Sequence, residues 1–237
     1  MRRPYLLLAF SLAAAALCVR LGIWQLARLE QRRARNSLAT ERLGQQPEDI
    51  ARISSDTGAV RFRRIHASGV FDYDRELARA FQSRNGSPGV HLLTPFKRAG
   101  SDTLVIVVRG WVYAPDAKTT DFPRWRERDS VTLDGYALPF VASGGPSDSI
   151  AGAARAVSRL DLARLAARVG APIAGYYLVM TSSAEKGDSI PNRLGEPVLN
   201  DGPHLSYAVQ WFLFATIFGA GGTVVVVRGR RKAAAGG

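Results

Sequence analysis

Two apolar runs, one near each end of the 237-residue chain, limit its fold most. The first extends from Tyr5 to Val19 and continues past Arg20 through LGIW to Trp24. The second extends from Leu205 to Val227. A helix needs roughly 20 apolar residues to cross the hydrocarbon core of a bilayer. At about 1.5 Å per residue the second run covers about 35 Å, and the first is near the lower limit. A signal peptide competes for the first run, but Val19, Arg20 and Leu21 stand where a small-x-small cleavage site would be needed. The segments are therefore read as a transmembrane helix over 5–24, a basic helical stem over 25–43, an outer domain over 60–203, a second transmembrane helix over 204–227 and a basic tail over 228–237.

Charge placement supports this reading. The formal charge is +12, which by itself invites a nucleic-acid partner. Every Asp and Glu, however, lies between Glu30 and Asp201, and the end regions carry seven basic residues without an acid. No nucleic-acid motif accompanies the charge, and basic flanks of apolar runs orient proteins in membranes. The RGRRK tail places the C-terminus in the cytoplasm, and two spans then place the N-terminus there too. The stem arginines face water or touch anionic lipid headgroups.

From Arg61 the periodicity changes. RFRRIHASGVF, ELARAFQSR, VHLLTPFKR, TLVIVVRGWVY, SVTLDGYALPF and GYYLVMTS are short, partly alternating runs separated by turn residues. They predict an α+β domain with a mostly antiparallel sheet or small barrel. TLVIVV, the most continuous apolar run, should be its central strand. SRLDLARLAARVG predicts a helix capped by Ser158 and stopped by Gly170. SGGPSDSIAGA and the segment from Ser183 to Pro203 read as loops. Asp201 is the expected N-cap of the second span, with Pro203 in its first turn.

Familiar chemistry is scarce. The one cysteine, Cys18, lies inside the first apolar run, so no intrachain disulfide or thiolate cluster can form. Copper carriage needs soft ligands, and Cys18, Met1 and Met180 are too few. His66 and His91 fall on expected strands, outside any zinc or hydrolase motif. A tethered hydrolase would require one of them beside a carboxylate in a pocket. GGPSDS at 144–149 reads as a linker. At 100° per residue, His204, Tyr207 and Trp211 fall within about 60° on the second helix, with Gln210 further round. Tyr and Trp there can be interfacial anchors, and His204 can be a rim residue. Alternatively, its neutral imidazole can ligate haem iron. Ala13–Ala16, Ala215 and Gly219 would let the spans approach closely, bringing Trp24 and Gln25 near His204.

LGIWQLARL (21–29), GVF (69–71), TPF (94–96), VVRGWV (107–112) and PHLSYAVQWFLFA (203–215) together resemble the surfeit locus family of cytochrome c oxidase assembly factors. The resemblance covers nearly the whole chain in order. It implies a non-enzymatic protein of a bacterial inner membrane with a periplasmic β-rich domain. Such a protein would bind haem a transiently and assist its insertion into oxidase subunit I, with haem A synthase a further partner. His204 would be the axial ligand, with Tyr207, Trp211, Trp24 and Gln25 completing the cofactor-binding set. Gly69, Gly110 and Trp111 match positions that read as structural. A scaffold that holds the nascent subunit without binding haem is the alternative. SGGPSDSIAGAA departs from the family's expected composition.

Overall fold

The computed structural model describes residues 3–53, 57–140, 150–183 and 190–235. GGPSDS at 144–149 lies outside them, as do residues 184–189 of the second expected loop. The chain divides into two units: residues 1–38 with 199–237, and residues 39–198.

The first unit pairs helices α1 (Arg3–Leu43) and α4 (His204–Ala235). Both are long and apolar enough to cross a membrane. On α1 the buried or half-buried positions Leu8, Ser11, Ala15, Cys18, Gly22, Gln25, Leu29, Arg32 and Asn36 recur at alternating steps of three and four. That 3.5-residue period keeps one stripe of the helix facing its partner. The steps run through the apolar span and the basic stem without a break, because no Pro or Gly interrupts residues 23–43. The expected small residues Ala14, Ala15, Ala215 and Gly219 are half-buried, and the tightest approaches fall at two further glycines. A Cβ at Gly22 would come within 2.8 Å of the Phe212 ring, and one at Gly222 within 2.7 Å of Ser11 Cβ. At Gly219 a Cβ would meet nothing within 4 Å. The close approach therefore rests on Gly22 and Gly222.

The second unit is built on strands β1 (Glu48–Asp49), β2 (Arg64–Phe71), β3 (Leu77–Arg84), β4 (Ser87–Arg98), β5 (Leu104–Tyr113), β6 (Ser130–Pro139), β7 (Ala156–Val157) and β8 (Ile173–Ser183). It also holds helices α2 (Thr57–Val60) and α3 (Leu162–Val169). The sheet order is β1-β2-β6-β8-β5-β4-β3-β7, and a further β2–β4 pairing closes β2, β6, β8, β5 and β4 into a ring. The expected mostly antiparallel sheet is instead a mixed one: β5–β8, β1–β2 and β3–β7 run parallel. The long connection after β6, through α3, brings β8 back alongside β5 in the same direction.

β5 holds the central place expected of TLVIVV. Val105 and Val107 join Ile65, Phe96, Leu133 and Leu178 in one buried cluster. Leu104, Ile106 and Val108 join a second, which also takes Leu165 and Val169 of α3 and Ala39 and Leu43 of α1. A strand buried on both faces has no reason to alternate, which is why this run reads as continuously apolar. α3 begins at Asp161 rather than Ser158, since the Asp161 carboxylate accepts the Arg164 N–H. It ends at Gly170 in the left-handed region, as expected. Gly69 is extended, and its lack of a side chain admits β4: a Cβ would sit 2.4 Å from the Lys97 carbonyl oxygen. Trp111 is buried beside Gly110 and exchanges two backbone hydrogen bonds with Asn192.

Candidate functional site

The start of α4 carries the residues that the sequence singles out. His204 is its first residue, and the Tyr207 N–H donates to the Pro203 carbonyl, closing the first turn. Asp201 does not act as the expected cap. Its carboxylate turns to α1, accepting from Arg33 Nε at 2.9 Å and from Asn36 Nδ2 at 3.5 Å. Asn36 also donates to the Asn200 carbonyl.

His204 Nδ1 lies 2.9 Å from Gln25 Oε1. The two residues are 179 positions apart in sequence, and both are half-buried on the helix–helix seam. With the amide oxygen as acceptor, Nδ1 carries the proton and Nε2 keeps its lone pair. The bond holds the ring orientation, and with Nδ1 as donor it selects the tautomer that second partners of metal-ligating imidazoles select. The Cδ2–Nε2 edge of the ring lies beside Gly202. A Cβ built there would lie 3.5 Å from His204 Cδ2, 3.6 Å from Nε2 and 3.9 Å from Arg32 Nη2. Gly202 has φ of 69°, in the left-handed region where side chains are strained. Conformation and clearance therefore both favour glycine beside the free nitrogen.

The other expected members of the site stand differently. Trp211 is half-buried and stacks edge-on to Phe214, with ring centres 6.0 Å apart. Trp24 and Tyr207 are about half exposed, and Gln210 is exposed. Among the described residues, no hydrogen bond or ring contact joins Trp24, Tyr207 or Trp211 to His204. The structure thus brings Gln25 and His204 together and leaves aromatic surface uncovered on either helix. Arg32 and Gly202 were missed from sequence. The signal for Arg32 was its step from Gln25 through Leu29 along the seam. An orphaned guanidinium N–H, a glycine clearance and an oriented imidazole suit a metalloporphyrin, which combines a metal with carboxylates.

The remaining histidines lie in the sheet domain. His66 Nδ1 contacts Asp134 Oδ1 at 2.7 Å, as direct cross-strand neighbours of β2 and β6. Both side chains are more than 40% exposed, which marks a surface pair rather than a buried catalytic dyad. The next pair on that face, Ser68 and Thr132, bond to each other at 2.9 Å. The tethered-hydrolase condition is thus met in its carboxylate but not in its pocket. A cavity of about 450 Å³ in this domain is lined by Phe71, Tyr73, Arg75, Lys97 and Arg126, without either histidine. His91 is pushed down to about 4, first by burial and then by Arg79 and Arg84.

Sequence comparison bears on the whole arrangement. The model of the SURF1 family matches residues 12–216, which include both Gln25 and His204. The chain belongs to the SURF1 family. SURF1 proteins form a family of cytochrome oxidase assembly factors, not a catalytic one. An uncharacterized SURF1-like protein of Mycobacterium tuberculosis is 28% identical over 190 residues, 75% of this chain and 65% of the relative. A SURF1-like protein of Rickettsia bellii is 25% identical over 207 residues, 82% and 80% of the two chains. One from Drosophila melanogaster is 24% identical over 219 residues, 86% and 72%. The chain thus spans just under two thirds of the mycobacterial relatives' length.

Proposed function

We propose that this SURF1 protein is an assembly factor for haem-copper cytochrome c oxidase. In this reading it takes haem a as cargo on His204 and assists its insertion into subunit I. The observation that carries the proposal is the Gln25–His204 hydrogen bond, which leaves Nε2 free at the end of a helix pair long enough to span a membrane. A structural histidine at a rim needs no partner on the other helix. A ligand histidine does, because an unfixed ring loses affinity to rotation and to the wrong tautomer.

The chain's own residues divide the work. Gln25 holds the Nδ1 proton and aims the ring. Gly202 keeps space beside Nε2. Trp24 and Tyr207 offer exposed aromatic surface to a flat apolar molecule. The cargo supplies an iron with an open axial position. A single imidazole suits delivery, because a second strong protein ligand would compete with the acceptor. The basic tail after the second span sets the orientation, with both termini cytoplasmic and residues 25–203 periplasmic. The sheet domain docks on subunit I or on haem A synthase.

The test is to purify the wild type and His204→Ala from cells that make haem a and to compare haem content and absorption spectra. The variant should lose most of its bound haem and its axial-ligand signature. Equal occupancy and identical spectra would reject the ligand role and favour the scaffold, which holds subunit I without haem. Co-purification of subunit I with both proteins reads out that scaffold role separately.

A further inference from the structure

We infer that Arg32 is a carboxylate-binding residue, so that this helix pair reads a metalloporphyrin at two points: its iron at His204 and one propionate at Arg32. The inference rests on the haem reading above and adds a second contact with different chemistry.

Arg32 Nε is buried and has no hydrogen-bond partner among the described residues. A guanidinium donates five N–H bonds and is charged at any physiological pH, so an unpaired buried N–H is costly. The neighbouring arginine shows what a satisfied one looks like here. Arg33 donates to Asp201 at 2.9 Å. Among the described residues, no carboxylate pairs with Arg32, and two other buried side-chain N–H groups lack partners, Arg79 Nε and Trp111 Nε1. Both lie in the sheet domain, where Trp111 packs on Gly89. Arg32 differs because its guanidinium faces the same glycine as the free His204 nitrogen: Nη2 is 3.9 Å and Nε2 3.6 Å from one Cβ position at Gly202.

That juxtaposition selects a class of ligand. An imidazole nitrogen with a lone pair takes a metal or a proton donor. A guanidinium takes an oxyanion, ideally a planar carboxylate through two parallel hydrogen bonds. A ligand with both features must be amphiphilic, because the helix pair is apolar on one side of this point and basic on the other. A metalloporphyrin has this character. A lipid phosphate shares the oxyanion but brings no metal.

The experiment titrates the full-length protein, in phosphatidylcholine nanodiscs, with ferric protoporphyrin IX and with its dimethyl ester, following the Soret band. The wild type should bind the free acid about tenfold or more tighter than the ester, the scale of one charge-assisted contact. Arg32→Gln should bind both alike, at the wild-type affinity for the ester. Arg32→Lys should keep part of the preference, which separates lost charge from lost folding. His204→Ala should lose the axial-ligand spectrum yet still prefer the acid. A wild type that does not discriminate, or an Arg32→Gln protein that still does, overturns the inference and leaves lipid phosphate as the guanidinium's partner. An unchanged spectrum in His204→Ala rejects the ligand role alone. Failure of the wild type to bind either porphyrin rejects both.

Discussion

Arg109 in the sheet domain and Arg32 in the helix pair both withdraw guanidinium nitrogens from water, and the two regions treat them in opposite ways. Arg109 is fully buried at a bulge: Val108 pairs with Leu93 and Gly110 with Leu92, leaving Arg109 as the extra residue. A bulge re-aims a side chain, and this one enters a complete set of acceptors. Arg109 donates to Glu76, to Thr94 Oγ1 at 2.7 Å, to the Trp125 carbonyl at 2.7 Å and to Glu127 at 2.7 Å. Arg193 closes the cluster from the other side of Glu127. The rings of Tyr73 and Phe71 lie 5.1 and 5.7 Å from the guanidinium carbon. Burial alone would lower the Arg109 pKa, and the Glu76 carboxylate outweighs it, holding the group above its ordinary value. Nothing there awaits a ligand. Among the described residues, Arg32 Nε has no partner. A charge with its partners inside the fold is architecture; Arg32 differs from both Arg109 and Arg79 in lying beside the same glycine as His204 Nε2.

The largest expected effect tests that contrast directly. Arg109→Met should destabilise the sheet domain by about 3–5 kcal/mol, because Glu76 keeps its buried charge and loses its counterion. Adding Glu76→Gln should recover part of the loss. Arg32→Met breaks no ion pair among the described residues and removes a buried unpaired N–H, so it should leave stability unchanged or raise it by about 1 kcal/mol. Thermal and denaturant unfolding of the full chain in one detergent compares the three. A comparable loss for Arg32→Met would mean that it too has a structural partner, and the contrast would fail.

A titratable group with cationic neighbours sharpens the same point. His91, half-buried near Arg79 and Arg84, is held down at about 4 by burial and by those charges. It folds neutral. Below its ordinary pKa of about 6.5 the unfolded chain takes up a proton that the folded chain refuses. Its contribution is thus fully present above that pH and is lost as pH falls towards about 4, amounting to about 3 kcal/mol at about 1.4 kcal/mol per unit. His91→Gln should flatten this part of the stability–pH curve and leave the remainder in place. An unchanged acid slope would show that His91 does not feel its arginines.

The two regions also differ in how far they can be read from sequence. The longer strands were legible because alternation and turn residues mark them, and β5 because an uninterrupted apolar run implies burial on both faces. The ring closure and the parallel β5–β8 pair were not, since no local pattern names a strand's partner. Arg109 was hidden for a related reason. An arginine inside VVRGW is visible, but Glu76 and Glu127 lie 33 and 18 residues away and only the fold unites them. In the helix pair, His204 stood out as an imidazole in an apolar helix. Arg32 was masked by its neighbours, since QRRAR reads as a solvated basic face. Only the three-four stepping from Gly22 through Gln25 and Leu29 distinguishes Arg32 from Arg33 and Arg35.

The smallest predicted effect concerns Gln25, the one group that acts on the proposed ligand only through another residue. Gln25→Leu is close in size and preserves the seam, so stability should hold. It leaves Nδ1 without an acceptor, and the His204 ring is then free to turn or to change tautomer. Outer partners of metal-bound imidazoles are worth about 10–100-fold in affinity. We expect the lower end, about tenfold weaker porphyrin binding, with the axial-ligand spectrum broadened rather than lost. Gln25→Glu supplies a stronger acceptor at the same reach and should restore or exceed wild-type affinity. Titration of both variants alongside His204→Ala separates orientation from ligation. If Gln25→Leu binds like the wild type, the hydrogen bond across the helices serves packing alone, and the ring is positioned by something other than its partner on α1.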